Sequence, residues 1–543
     1  VHDKMYLQQD RSMVPMDSDV LIIGAGAGGA AAAWRLVHHG FSVTCLERGE
    51  WVDPQTSPSL DADWEVIRQR GWNPNPNRRK GPADDPVDDA DSEIKPLYFN
   101  GVGGSTVLWS CHFPRFHPSD FCTYSLDGTG DDWPISYDDL APYYDLNETM
   151  MGVAGLAGNP AYPSMSAPRQ PPVGLSPGAR RIAEAFNRAG VSWWPGDIAI
   201  NSASAGQGQG ICNNCGPCEL HCPRRAKSAT DLNYWPAAID KGARLVTGAR
   251  VTDILTTPEG AVRGAVWLDR DGRERAAHAP VVILVANGIG TPRFLLNAPG
   301  AAAVNRSGLV GRRLMLHPLA RVTGLFDEPM EGHRGIAAGT LVSHHFYETD
   351  TTRGFRRGVK MQALGTHGPA LTALGSLGRR APWGRDHHTV FSQMFGHAYS
   401  LSVCAEDAPD PENRITLSDS LAGSDGLPAA RMVYKIPAEA KQALDFGRDR
   451  AREILALAGA QRFIEMETIP EAGFHLMGTT RMGRDRETSV LDEWCEAHDL
   501  PGLFVTDGSA FVTGAAANPT NTLQALALRA ADRIAATRSR RAA

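Results

Sequence analysis

The stretch from Val20 to Glu47 constrains this chain more than any other. Val20-Leu-Ile-Ile23 is short, apolar and β-branched, as a strand buried on both faces should be. Gly24, Gly26, Gly28 and Gly29 follow, and an alanine-rich run from Ala30 suits a helix packed closely on a sheet. A second apolar strand, Ser42 onward, ends at the acid Glu47. Strand, glycine turn, helix, strand and acid in that order describe a unit that binds a dinucleotide. Gly24 permits the tight turn, Gly26 lets a pyrophosphate approach the backbone, and Gly29 lets helix and strand touch. The helix start offers unpaired N–H groups and its positive dipole end to phosphates. Glu47 is placed to accept hydrogen bonds from ribose hydroxyls. The competing reading is a tight turn in an ordinary α/β unit.

At 543 residues the chain exceeds one hydrophobic core, so at least two lobes are expected. A charge of −7, with both signs spread along the chain, argues against a nucleic-acid surface and suits neutral or cationic substrates. No apolar run is long enough to span a bilayer. Residues 1–19 carry neither an apolar signal core nor a twin arginine, so the expected location is cytoplasmic, export with a partner aside.

Four of the nine cysteines crowd into Cys212, Cys215, Cys218 and Cys222. The spacing Cys-x2-Cys-x2-Cys-x3-Cys-Pro is the run that holds an iron–sulfur cluster in bacterial ferredoxins. That reading stands first, with a 4Fe-4S or 3Fe-4S cluster. Tetrahedral zinc stands second and a reduced cysteine-rich loop third.

Further motifs lie along the chain. Residues 51–93 are poor in apolar groups and read as a surface excursion or lid, with solvated charges. Asn100-Gly-Val-Gly103-Gly104-Ser105 leads to Trp109, with glycines suited to backbone passing a flat ligand. Trp133 to Tyr144 opens a helix, with Ser136 as N-cap. Asp271-Gly272 marks a hairpin between Val262–Leu268 and Ala276–Leu284. A helix is expected over Ala179–Ala189 and a longer one over Pro437–Ala458.

Asn100–Trp109, Trp133–Tyr144, Val285–Pro292, Val310–Pro318 and Pro411–Leu417 together resemble the glucose–methanol–choline oxidoreductase family, from about Asp19 to Ile534. The cysteine run makes the chain similar to a subgroup of bacterial FAD sugar dehydrogenases and aminoglycoside-pathway alcohol dehydrogenases. The resemblance implies an α/β fold, α+β overall. A Rossmann-like FAD-binding domain would span mainly 17–319, with the cysteines in an insertion at 205–230. An antiparallel substrate-binding sheet would occupy mainly 320–470, and 471–536 would return to the FAD domain with the catalytic residues. Residues 1–16 and 537–543 would be flexible tails.

By the same resemblance, His475 holds the place of the family's base and Asn518 that of its partner. Gly103, Gly104, Ser105, Val251, Ala286, Asp507, Gly508 and Thr520 join the glycine unit around FAD. Leu108 stands where some relatives attach FAD to a histidine, so non-covalent FAD is expected, although His112 is close by. The implied activity is an FAD alcohol dehydrogenase acting on a sugar, aminosugar or polyol hydroxyl. Its electrons would pass through the cluster to an external acceptor. The alternatives are an alcohol oxidase that releases hydrogen peroxide and carries a structural metal, and a catalytically silent electron-transfer flavoprotein.

Overall fold

The computed structural model describes residues 17–538 except 54, 207, 337–338 and 376–380. The expected tail at 1–16, and that at the C-terminal side from 539, fall outside the described residues. Thr537 itself closes a helix.

Five parallel strands form the first sheet, in the order Leu503–Val505, Val281–Leu284, Val20–Ile23, Val43–Glu47 and Arg244–Thr247. The central strands are buried along their whole length, which explains their unbroken apolar sequence. The helix Ala27–His38 lies on this sheet. A Cβ at Gly29 would stand 2.2 Å from the Gly24 carbonyl oxygen, and one at Gly28 would stand 2.2 Å from that of Thr506. Two glycines, not one, therefore permit the close approach. The last helix, Thr520–Thr537, packs on the first through Ala527, Leu528, Ala531 and Ile534.

Six antiparallel strands form the second sheet, in the order Arg462–Met466, Leu319–Leu325, Ala398–Ala405, Val359–Leu364, Leu341–Ser343 and Trp194–Pro195. One face, with Val322, Met361, Leu401 and Val403, packs under the helix Ala438–Leu457. Side chains alternate between faces of a strand. The other face therefore presents two cross-strand rows, Leu319–Cys404–Lys360 and Arg321–Ser402–Gln362. An α/β parallel sheet joined to an antiparallel sheet is the fold class expected.

Details differ from the sequence reading for physical reasons. The run Ala276–Leu284 is two strands. Glu274–His278 completes the hairpin with Val262–Leu268, and Val281–Leu284 joins the parallel sheet. Pro280, with no N–H to donate, separates them. The segment 51–93 is not simply a solvated loop. Arg79 pairs with Asp84 at 2.6 Å, both nearly buried. Asp85 takes Arg48 at 2.7 Å, Arg250 at 3.0 Å and Arg293 at 3.3 Å. Burial alone would raise the Asp85 carboxyl, but these three guanidinium groups hold it below the usual carboxylate range. Among the described residues, no helix is long and apolar enough to cross a membrane.

Candidate active site

A cavity of about 370 Å³ opens between the two sheets. Of the sequence-predicted residues, Gly24, Gly26, Glu47, Asn100, Gly104, Ser105, Trp109, Val251, Ala286, His475, Asp507, Gly508, Asn518 and Thr520 line it. Gly29 and Gly103 do not. Gly29 serves helix packing, and Gly103 takes φ +94° in the turn below the cavity.

The loop residues are held firmly. Both Glu47 oxygens accept backbone N–H groups, Oε2 from Ala25 and Oε1 from Gly49, each at 2.7 Å. Asn100 is fixed between Arg48, which donates to its Oδ1 at 2.8 Å, and Asp84, which accepts from its Nδ2 at 2.8 Å. Trp109 Nε1 donates to the Ser228 carbonyl at 2.9 Å. Asp507 accepts from the Thr291 hydroxyl at 2.6 Å and the Ser509 amide at 2.9 Å. Leu108 and His112 also line the cavity.

His475 and Asn518 meet: Asn518 Nδ2 lies 3.2 Å from His475 Nε2. Burial, with His317, Lys360 and His112 adding to it, pushes the His475 imidazole well below its ordinary range. It is therefore neutral near pH 7, with a lone pair available. Two neighbours escaped the sequence reading as site residues. His317 Nδ1 lies 2.9 Å from His475 Nδ1, and Lys360 Nζ donates to Asn518 Oδ1. Lys360 is 1 % exposed, and burial lowers its ammonium from the ordinary lysine range. A signal for Lys360 did exist. Val-Lys-Met-Gln-Ala-Leu alternates polar with apolar residues, but a polar strand face normally means solvent rather than a cavity.

The cysteine expectation is overturned. Among the described residues, no group of three or more His, Cys, Asp or Glu side chains is arranged to hold a metal ion. The four cysteines border a space of only about 10 Å³. The Asn214 amide donates to Cys212 Sγ at 3.5 Å, and Cys215 is exposed. Short spacers brought the cysteines near one another without converging their sulfurs into a ligand set. The iron–sulfur cluster, the zinc alternative and the ferredoxin-like subgroup are withdrawn. So is the dehydrogenase reading that routed electrons through the cluster.

The residues fit FAD. A Cβ at Gly26 would meet nothing nearer than Gly104 Cα at 4.0 Å, so a side chain there would fill the cavity where the helix Ala27–His38 begins. A Cβ at Gly104 would stand 2.8 Å from Gly26 Cα, so the two loops cross as bare backbone. That leaves an open groove at a helix N-terminus, suited to a pyrophosphate.

Comparison with known proteins agrees. The chain matches the GMC oxidoreductase family over residues 19–319 and, in its C-terminal part, 409–527. It is 42% identical to 2-methyl-1,2-propanediol dehydrogenase of Mycolicibacterium austroafricanum, over 95% of both chains. It is 30% identical to the fructose dehydrogenase large subunit of Gluconobacter japonicus, over 96% of this chain and 98% of that one. It is also 30% identical to paromamine 6'-oxidase of Streptomyces fradiae, over 95% and 91%. In fold it is similar to pyridoxine 4-oxidase from Mesorbium loti, at TM-score 0.65 and 18% identity, covering 95% of this chain and 98% of that one. With the dinucleotide groove and both sheets in place, the chain belongs to the GMC oxidoreductases, as an FAD-dependent enzyme acting on CH–OH groups.

Proposed function

We propose that this enzyme is an alcohol oxidase. It converts the CH–OH group of a small polar alcohol to a carbonyl, dioxygen takes the two electrons and two protons, and hydrogen peroxide is the second product. The observation that carries alcohol oxidation is the neutral His475 beside Asn518 on the cavity surface. His475 Nε2 takes the hydroxyl proton. Asn518 holds the substrate oxygen, since its amide can serve both alcohol and carbonyl. Lys360, through Asn518, favours negative charge developing on that oxygen. FAD, held by the glycine loops, Glu47 and the Asp507–Gly508 turn, supplies the two-electron acceptor for the substrate hydride.

The cavity supports a substrate with a second oxygen. Among the described residues, both ring nitrogens of His112, 4 % exposed, and Oε1 of Gln362 lack a hydrogen-bond partner, and both residues line the cavity. A 1,2-diol would supply a donor and an acceptor to such groups. The relative at 42% identity is named for a diol and another at 30% is named an oxidase. The dehydrogenase name of the first favours one second reading, in which a small diffusible acceptor replaces dioxygen.

The test is stoichiometric. Oxygen uptake, peroxide and carbonyl product are measured together over a panel of 1,2-diols, sugars and simple alcohols. One peroxide per carbonyl supports the oxidase. Carbonyl formed only with an added dye acceptor, at negligible oxygen uptake, replaces it with the second reading.

A further inference from the structure

His475 sits in the middle of a hydrogen-bonded chain: Gly514 carbonyl, His317, His475, Asn518, Lys360. Its two ends are chemically one-directional. A carbonyl oxygen only accepts, and an ammonium only donates. The direction of every bond between them can therefore be worked out twice, once from each end.

From the first end, His317 Nε2 lies 2.7 Å from the Gly514 carbonyl oxygen, so that nitrogen carries the hydrogen. His317 is fully buried, and burial brings it down to about 4, so near neutrality it holds one proton only. Its Nδ1 is then bare. The 2.9 Å contact between the two Nδ1 atoms requires His475 Nδ1 to donate. His475, neutral as well, is left with a lone pair on Nε2.

From the other end, Lys360 Nζ donates to one Asn518 side-chain atom, which must be Oδ1. The Asn518 amide is thereby oriented, with Nδ2 toward His475. Nδ2 only donates, so His475 Nε2 must accept at 3.2 Å. The two derivations meet on the same atom with the same result.

The surroundings of His317 fit such a task. It takes φ +54°, a strained conformation for a residue with a side chain. Asp407 holds the strain in place. Its carboxylate accepts the amides of Leu316 at 2.8 Å and His317 at 3.2 Å, and the Tyr434 hydroxyl at 2.8 Å. A side chain at Gly514 would stand 3.2 Å from His317 Nε2, so the glycine admits the close approach.

We infer that His317 and Lys360 are positioning residues which fix, from opposite ends, one polarity of this chain and so keep the His475 lone pair on Nε2, beside Asn518. The inference rests on the reading of His475 as the base. An imidazole with nothing at Nδ1 would divide between two tautomers, one of which cannot accept a proton at Nε2. With His317 in place the competent tautomer is the resting one. When His475 Nε2 takes the substrate proton, the Nδ1–H bond to the neutral His317 persists and supports the imidazolium.

The test reads the tautomer directly. Protein labelled with ¹⁵N-histidine is examined by long-range ¹H–¹⁵N spectroscopy, the His475 signals being assigned by their loss in His475→Gln. The expected result is a protonated Nδ1 and a bare Nε2 on His475 in the wild-type protein. A bare Nδ1 there overturns the inference whatever any variant does. Two variants then separate positioning from mere support. His317→Asn keeps an acceptor near the Nδ1 position, and His317→Gln keeps a donor toward Gly514. Asn is expected to keep the tautomer and to reduce flavin within about fivefold of wild type. Gln is expected to mix the tautomers and lose about 10²-fold in reduction rate, with KM little changed. Rescue by Gln and failure by Asn would make His317 structural only. If no alcohol is oxidised yet the wild-type tautomer is as stated, the functional reading falls and the chain polarity stands.

Discussion

Lys360 reaches from the antiparallel sheet to Asn518, at the start of the last helix, and donates to its side-chain oxygen. This ammonium is buried, and among the described residues it has no carboxylate within ion-pair distance. Such a charge costs stability. Lys360→Met is therefore expected to raise the melting temperature while turnover falls roughly 10–100-fold, the scale of a lost charged hydrogen bond. Thermal melts and steady-state rates on one preparation check both. A stability loss with unchanged turnover would contradict the argument.

His475→Ala should leave FAD bound, since His475 belongs to none of the glycine loops. Flavin reduction by substrate should fall about 10²–10⁴-fold. Stopped-flow absorbance of the flavin measures this, and an unchanged rate would remove His475 from the chemistry.

Burial first, and then His317, Lys360 and His112, push the His475 imidazole well below 6.5. A base is competent only above its own pKa. The flavin-reduction rate should thus stay level as pH falls through 6.5 and decline only at markedly lower pH. A decline centred on the ordinary histidine value would show that His475 is not held in this way.

The same physics predicts acid sensitivity of the fold. His317 titrates at about 4 when folded and near 6.5 when unfolded. Between those values the unfolded chain takes a proton that the native one refuses, so stability falls as pH drops from 6.5 to 4. His317→Asn removes this contribution. Urea midpoints at pH 7 and pH 5 should differ less for the variant than for wild type.

At Gly29 a methyl group would collide with the Gly24 carbonyl oxygen at 2.2 Å. Gly29→Ala should cost ~1–3 kcal/mol or more, because neither the helix nor the turn can give way. At Gly71 nothing lies within 4 Å, and Gly71→Ala should stay within about 0.5 kcal/mol of wild type. Urea denaturation of the pair provides its own control.

Much of this was legible in the sequence where local chemistry decides the outcome. The unit from Val20 to Glu47 reads directly because strand burial, glycine placement and helix composition all act within a few residues. Ser136 behaves as the N-cap its position suggested, in a capping box with Asp139. His317 was visible within the run ending at Pro318, but its role depends on His475 and Gly514, both far along the chain. Lys360 carried a polar alternation with no sign that the face it lines is interior. Asp85 looked solvated because its three arginine partners, Arg48, Arg250 and Arg293, come from separate segments. The cysteines misled for the converse reason: spacing was present, and the three-dimensional arrangement it usually signals was not.

The parallel sheet has a consequence for synthesis on the ribosome. Its central strand, Val20–Ile23, emerges among the first residues described, whereas the edge strand Leu503–Val505 and the helix that covers Ala27–His38 emerge among the last. The nucleotide groove is thus half-made until those later segments return, with the apolar face of Ala27–His38 uncovered. An apolar face left open in this way favours premature association. A dinucleotide can meet the complete groove only once Asp507, Gly508 and Thr520, which line the same cavity as Gly26 and Glu47, are in place.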